Sequence, residues 1–154
     1  MATLESIQKS ISPELKMLNE RIVGALSTSN KLMNEVVETC LKTKGKQIRP
    51  ILVMLSAKMF GTIDEKVISA AAAVEMLHNA SLIHDDVIDE TKERRNNPTI
   101  NCIWDNHIAV LVGDYFVSAA LQQAISTQDP RIIAALSQLG AILSLGEIDQ
   151  IYNA

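Results

Sequence analysis

Glu75-Met76-Leu77-His78-Asn79-Ala80-Ser81-Leu82-Ile83-His84-Asp85-Asp86-Val87-Ile88-Asp89 is the stretch on which this sequence turns. An apolar segment ends in a cluster of carboxylates: Asp85, Asp86 and Asp89. On a helix Asp85 and Asp89 lie one turn apart on a shared face. His78 lies about two turns before Asp85 on that same side. Asp86 sits about 100° further round, so it either reaches a cation through water or hydrogen-bonds elsewhere. Clustered like charges next to apolar residues cost stability, and structure alone has no need of them. Magnesium ions bridging a diphosphate account for the cluster, because hard cations take carboxylate oxygens. Arg94-Arg95 follow, and guanidinium groups suit anionic phosphate oxygens.

Upstream, Gly45-Lys46-Gln47-Ile48-Arg49-Pro50 reads as a glycine loop running into a helix start. Free backbone N–H groups at such a start favour an anion, and Lys46 and Arg49 add two cations. His84, beside the aspartates, reads as a supporting residue rather than a ligand.

The rest of the chain reads as helix. Ser12-Pro13-Glu14 opens one with a capping hydroxyl, a first-turn proline and an acid at the positive end. Ser27–Asn30 ends it. A second helix is expected from Lys31 to Lys42, followed by a loop over Thr43–Lys46. Pro50 is expected to open a helix that Gly61 closes. Asp64 caps a long helix reaching Asp89, with the small residues Ala70–Ala73 permitting close neighbours. Thr91–Thr99 is expected to be a polar loop, with Asn96-Asn97-Pro98 as its turn. Two helices follow, over Asn101–Ala124 and Pro130–Tyr152. No run alternates with period two and no Asn-Gly or Asp-Gly hairpin signal is present. The fold class expected is all-α, with antiparallel helices joined by short loops around a central cavity. The last helix carries no stop signal, so the chain is expected to form part of a larger domain.

The 154 residues suffice for one core. At 47% hydrophobic and 21% charged they make a globular chain, and with 3% aromatics the core must rest on Leu, Ile, Val, Met and Ala. A net charge of −4 argues against a general nucleic-acid binder. Cys40 and Cys102 are widely spaced and read as reduced thiols of a cytoplasmic protein. Residues 1–10 lack the pattern of a signal peptide. The apolar run Val67–Ile83 is broken by Glu75, His78 and Asn79, so it is not read as a membrane span.

Together these residues resemble the trans-isoprenyl diphosphate synthases, the polyprenyl synthetase family, and most of all its medium- and long-chain, octaprenyl-type members. The matching pieces are Gly45–Pro50, the His78–Asp89 block, Arg94-Arg95 and Leu111-Val112-Gly113-Asp114-Tyr115, in the family's order. The likeness spans about Lys31 to Gln150. Asn96 departs from it, because a glycine commonly follows the paired arginines. The resemblance implies the N-terminal half of the isoprenoid synthase helical bundle and a prenyltransferase that joins isopentenyl diphosphate to an allylic diphosphate with Mg²⁺. Asp85, Asp86 and Asp89 form the implied metal set, with Asp85 and Asp89 holding the ions and Arg94 on the allylic phosphates. Asp85, Asp89 and Arg94 are thus the implied catalytic residues. Lys46, Arg49, His78 and Arg95 bind isopentenyl diphosphate. Ala80, Ser81 and Leu77 set chain length, and the small Ala80 and Ser81 imply a product longer than fifteen carbons. The family is usually dimeric, so a homodimer is expected. The family's second aspartate-rich motif is not found here. A class I terpene cyclase and a non-catalytic helical subunit are the competing expectations. The cationic loop and Arg95 argue against the cyclase, and the intact metal motif argues against the subunit.

Overall fold

Capping side chains set most of the helix starts. In a computed structural model that describes residues 1–43 and 45–154, the elements are α1 (Leu4–Ser10), α2 (Ser12–Leu26), α3 (Lys31–Lys42), α4 (Ile48–Phe60), α5 (Glu65–Ile88), β1 (Glu93–Arg94), β2 (Asn97–Pro98), α6 (Ile100–Ile103), α7 (Asn106–Ser126) and α8 (Pro130–Asn153). The all-α expectation is met. Lys44, in the loop expected over Thr43–Lys46, lies outside the described residues. Asn30, Asp64 and Asp129 each accept a backbone N–H of the helix they open, satisfying donors that the first turn leaves free.

Several boundaries differ from the sequence expectation. Helix α1 was not foreseen, although Thr3 and Ser6 form a reciprocal capping box. In α2 the cap position falls to Ile11 and Ser12 is already helical. Helix α4 starts at Ile48, so Pro50 occupies its first turn rather than its first position; no intrahelical donor is needed there. The helix expected over Asn101–Ala124 is broken at Trp104-Asp105, because the Asp105 side chain accepts the Ile108 N–H at 2.8 Å and starts α7 afresh. The Thr91–Thr99 loop contains a two-residue hairpin, β1 pairing antiparallel with β2. Its turn residues Arg95 and Asn96 have φ of 51° and 64°, the requirement of a type I′ turn. Asparagine tolerates this left-handed backbone, so Asn96 serves where the resemblance has glycine.

Helix α5 is the axis of the bundle. Ala71, Ala72, Ala73, Met76 and Ala80 are buried along it, and its most extensive packing is with α7. Helix α7 answers with Ala109, Val112, Gly113, Phe116, Ala119 and Ala120. Helices α2 and α4 pack on other sides of α5. Small residues on both α5 and α7 let the backbones approach, and the buried Phe116 is one of the few aromatics the core uses. Helices α7 and α8 are long and apolar enough to cross a membrane, with mean hydropathies of 1.5 and 1.4. For α7 the apolarity is that of a core helix. In α8 only Leu136 is buried, and Ile142, Leu145, Ile148, Ile151 and Tyr152 lie exposed.

The two thiols have different environments. Cys40 is partly buried against the core, and burial pushes its thiol up to about 12, whereas Cys102 is exposed. At pH 8 a thiol reagent should label Cys102 promptly and Cys40 only after denaturation, because the thiolate is the reactive form. Prompt labelling of both in the folded chain would contradict this placement.

Candidate functional site

The cationic half of the site is assembled at the start of α4. Gln47 adopts left-handed backbone, φ 55°, which costs an ordinary residue about 1–2 kcal/mol. Two long-range hydrogen bonds hold this turn: Gln47 Nε2 donates to Asn19 Oδ1 of α2 at 2.7 Å, and Gln8 Nε2 of α1 donates to the Lys46 carbonyl at 3.3 Å. Lys46 and Arg49 then border a cleft of about 550 Å³ with His78 of α5 and Arg95 of the hairpin turn. The four residues expected to bind one diphosphate therefore meet. Arg95 Nη1 donates to the Thr43 carbonyl at 2.9 Å. Its guanidinium presses on Gly45, where a Cβ would fall 2.6 Å from Nη2. A side chain at Gly45 would displace the flexible tip of Arg95; backbone conformation is not the constraint, since no glycine among the described residues has positive φ.

Arg49 Nη1 lies 3.3 Å from His78 Nε2. A guanidinium only donates, so Nε2 accepts and the ring is neutral. Burial, then Arg49, Arg95 and Arg94, hold the His78 pKa below its usual value. Buried Glu75 borders the same cleft. Burial pushes its carboxyl up, and Arg49 and Arg95 pull it back.

The acidic half lies at the C-terminal end of α5. Asp85 is partly buried and Asp89 exposed, and the Asp89 N–H donates to the Asp85 carbonyl at 2.8 Å. Burial raises the Asp85 pKa. The charges of Glu147, Asp89 and Asp86 add to the rise and Arg94 offsets it. Glu147 was missed in the sequence, where it is one scattered acid of α8; its only signal is being a lone acid in the otherwise uncharged run 140–148. Among the described residues no three His, Cys, Asp or Glu side chains form a closed metal site. Asp85 and Asp89 instead make an open, self-repelling carboxylate pair. Mg²⁺ fits such a donor set, because it binds through one or two carboxylates and fills its remaining positions with water and phosphate oxygens.

Of the two roles open to Asp86, the structure shows the hydrogen-bonding one. Its carboxylate is buried and accepts from Arg94 Nη2 at 2.6 Å and from Arg94 Nε at 3.2 Å. A buried carboxylate requires such a partner. Arg94, expected on substrate phosphates, here ties β1 to α5. Its side chain remains 38% exposed.

His84 is a supporting residue, as expected. Its Nε2 lies 3.1 Å from the Val110 carbonyl and 3.3 Å from Asp114 Oδ1. A carbonyl only accepts, so Nε2 carries the proton. The imidazole fills the space that a Cβ on Gly113 would need. Of the expected chain-length positions, Ser81 lies about 40° from Asp85 round α5 and Leu77 about 80°. Ser81 is half-buried, and its Oγ donates to the His78 carbonyl at 2.7 Å. Ala80 is about 140° away and fully buried, on the side where His84 meets α7. Core packing, rather than the Asp85 face, occupies Ala80.

Arg94→Ala should cost about 2–3 kcal/mol, since it leaves the Asp86 charge buried without its partner. Urea denaturation measures this, and a change under about 0.5 kcal/mol, the range of ordinary surface substitutions, would contradict the pairing.

The polyprenyl synthetase family model matches residues 30–154. Heptaprenyl diphosphate synthase component 2 of Bacillus subtilis is 37% identical over 142 residues, 92% of this chain and 40% of that protein. Octaprenyl diphosphate synthase of Haemophilus influenzae is 31% identical, over 99% of this chain and 46% of its own. Among solved structures, a decaprenyl diphosphate synthase from Rhodobacter capsulatus superposes with a TM-score of 0.94 at 31% identity, covering 97% of this chain and 46% of that one. A polyprenyl synthase from Caulobacter crescentus, in complex with calcium and isoprenyl diphosphate, gives 0.93 at 25% identity over 97% and 45%. The chain spans less than half the length of these relatives, in their N-terminal part. At that coverage α7 and α8 fall within the shared helical bundle, an isoprenoid synthase fold. This chain belongs to the polyprenyl synthetase family.

Proposed function

We propose that this chain is the first half of a prenyltransferase that condenses isopentenyl diphosphate with an allylic diphosphate to an all-trans polyprenyl diphosphate. One observation carries this reading. A single helix, α5, presents the cationic cleft at His78 and the carboxylate pair at Asp85 and Asp89, their starts about 10 Å apart along its axis. Two diphosphates held at these places bring an alkene and an allylic carbon together, which is catalysis by proximity.

Lys46, Arg49 and Arg95 hold the diphosphate of isopentenyl diphosphate, with neutral His78 as a further hydrogen-bonding group. Asp85 and Asp89 hold Mg²⁺, which when bound stabilises the departing diphosphate as a Lewis acid. Arg94 adds positive charge beside the allylic phosphates. Ser81, Leu77 and Val74 line the start of the channel for the growing chain, with Ala80 as packing behind it. The Caulobacter relative, in complex with calcium and isoprenyl diphosphate, supports both the divalent cation and the ligand class. A terpene cyclase would have no use for the second, cationic cleft. The remaining half of the bundle, bearing a second aspartate-rich motif, covers the open face of α8 in this reading. A second copy is the partner we favour. The Bacillus relative is named component 2, so a distinct second polypeptide is the alternative, and sedimentation of the purified protein in the analytical ultracentrifuge, dimer or monomer, separates them. We place the enzyme in the cytoplasm.

Incubation with farnesyl diphosphate, isopentenyl diphosphate and Mg²⁺ tests the reading. The 154-residue chain should bind diphosphates weakly and elongate little, and the whole protein should elongate well. In the whole protein Asp85→Ala and Asp89→Ala should each lower turnover at least about a hundredfold, roughly 3 kcal/mol of barrier. Near-normal turnover in Asp85→Ala would remove the metal assignment. Because Asp85 holds its proton more tightly folded than unfolded, its ionisation subtracts from stability as pH rises through the carboxylate range. Asp85→Asn should therefore be neutral or stabilising without metal at pH 7, and Mg²⁺ should raise the melting temperature of the wild type but not of this variant.

Product length gives a further test. The wild-type product should exceed fifteen carbons, and Ser81→Phe should shorten it by filling the channel beside Asp85. Chromatography decides, and an unchanged product from Ser81→Phe would place the channel elsewhere.

A further inference from the structure

The cationic loop has no helix or strand of its own over Lys46 and Gln47, yet its backbone is held in a conformation that side chains rarely adopt, φ 55° at Gln47. What holds it comes from far along the chain. Asn19 sits half-buried on α2 and accepts the Gln47 Nε2 hydrogen bond at 2.7 Å. Gln8 on α1 adds a separate tie to the Lys46 carbonyl. Both helices precede residue 30, where the family match begins. Asn19 and Gln47 also line a smaller cavity of about 200 Å³ that shares Gly45, Glu75 and Arg95 with the cationic cleft. Gln47 borders both spaces and Asn19 only the smaller one, so the bond leads away from the cationic cleft.

We propose that Asn19 is a positioning residue for the diphosphate cleft: by accepting from Gln47 it fixes the left-handed turn that sets Lys46 and Arg49 relative to His78 and Arg95. It touches no substrate. Without this acceptor Gln47 loses its anchor, the turn relaxes toward right-handed backbone, and the first turn of α4 loses its fixed relation to α5. A carboxylate at position 19 keeps the acceptor oxygen, so Asn19→Asp should behave as wild type. Asn19→Ala removes it. The role in ligand binding rests on the function proposed above, whereas the role in loop geometry does not.

Two measurements on wild type, Asn19→Ala and Asn19→Asp decide the matter. The first is amide hydrogen exchange, which reports local opening. Asn19→Ala should speed exchange at Ile51, whose N–H donates to the Gln47 carbonyl at 3.1 Å, while leaving the α5 and α7 cores as protected as in the wild type, and Asn19→Asp should keep that exchange slow. Unchanged exchange at Ile51, or a loss of protection spread equally through α5 and α7, would overturn the proposal. The second is calorimetric titration with isopentenyl diphosphate. Asn19→Ala should weaken binding about fivefold or more, the scale of one lost hydrogen bond, and Asn19→Asp should bind as wild type. Wild-type affinity in Asn19→Ala would also overturn it. If the wild type itself fails to bind isopentenyl diphosphate, the assignment of the cleft fails, and the exchange experiment still decides whether Asn19 sets the loop.

Discussion

Everything in this half-bundle depends on how closely α5 and α7 approach. Alanines on both helices and Gly113 keep the gap small, and the His84 imidazole lies directly over Gly113. Interiors packed this tightly do not deform gradually. The long α5 therefore behaves as one rigid rod, and groups at its middle and its end keep a fixed spacing. That rigidity sets His78 and the carboxylate pair at a constant separation, while the rest of the cleft comes from the loop before α4 and the hairpin turn.

Around this rod the charged residues serve as fasteners as much as ligands. Arg94 and Asp86 bind the hairpin to α5, and Thr99 Oγ1 closes the hairpin by donating to the Thr91 carbonyl at 2.8 Å. Arg95 extends the same hairpin to the loop before α4 through the Thr43 carbonyl. Buried ion pairs add little net stability, because desolvation offsets the attraction. Their use here is in geometry: one short hairpin fixes the relation between the end of α5 and the start of α4, the two ends of the site.

The sequence made the helices legible because their starts are written in capping residues such as Asn30, Asp64 and Asp129, and because apolar spacing marks their faces. The cations Lys46, Arg49 and Arg95 were legible as phosphate binders, whereas spacing alone put His78 with Asp85; only the resemblance grouped the four, and the structure gathers them around one cleft. Less legible was whatever depends on distant partners. Asp86 looked equivalent to its neighbours until burial and Arg94 distinguished it. Glu147 looked solitary until α8 returned alongside α5. The break at Asp105 was hidden because one side chain outcompeted an otherwise continuous helical pattern. The positive φ of Asn96 was hidden because a type I′ turn needs no glycine when asparagine is available.

The open side of α8 has a consequence for how such a chain fares after synthesis. Six large apolar side chains, from Ile142 to Tyr152, lie exposed on one helix that buries a single residue. Chaperones and quality-control proteases respond to displayed apolar surface of this kind, much as they do to a folding intermediate. The lifetime of a bundle left open at this helix would therefore be set by how soon the helix is covered, and less by the free energy of the well-packed α5–α7 core.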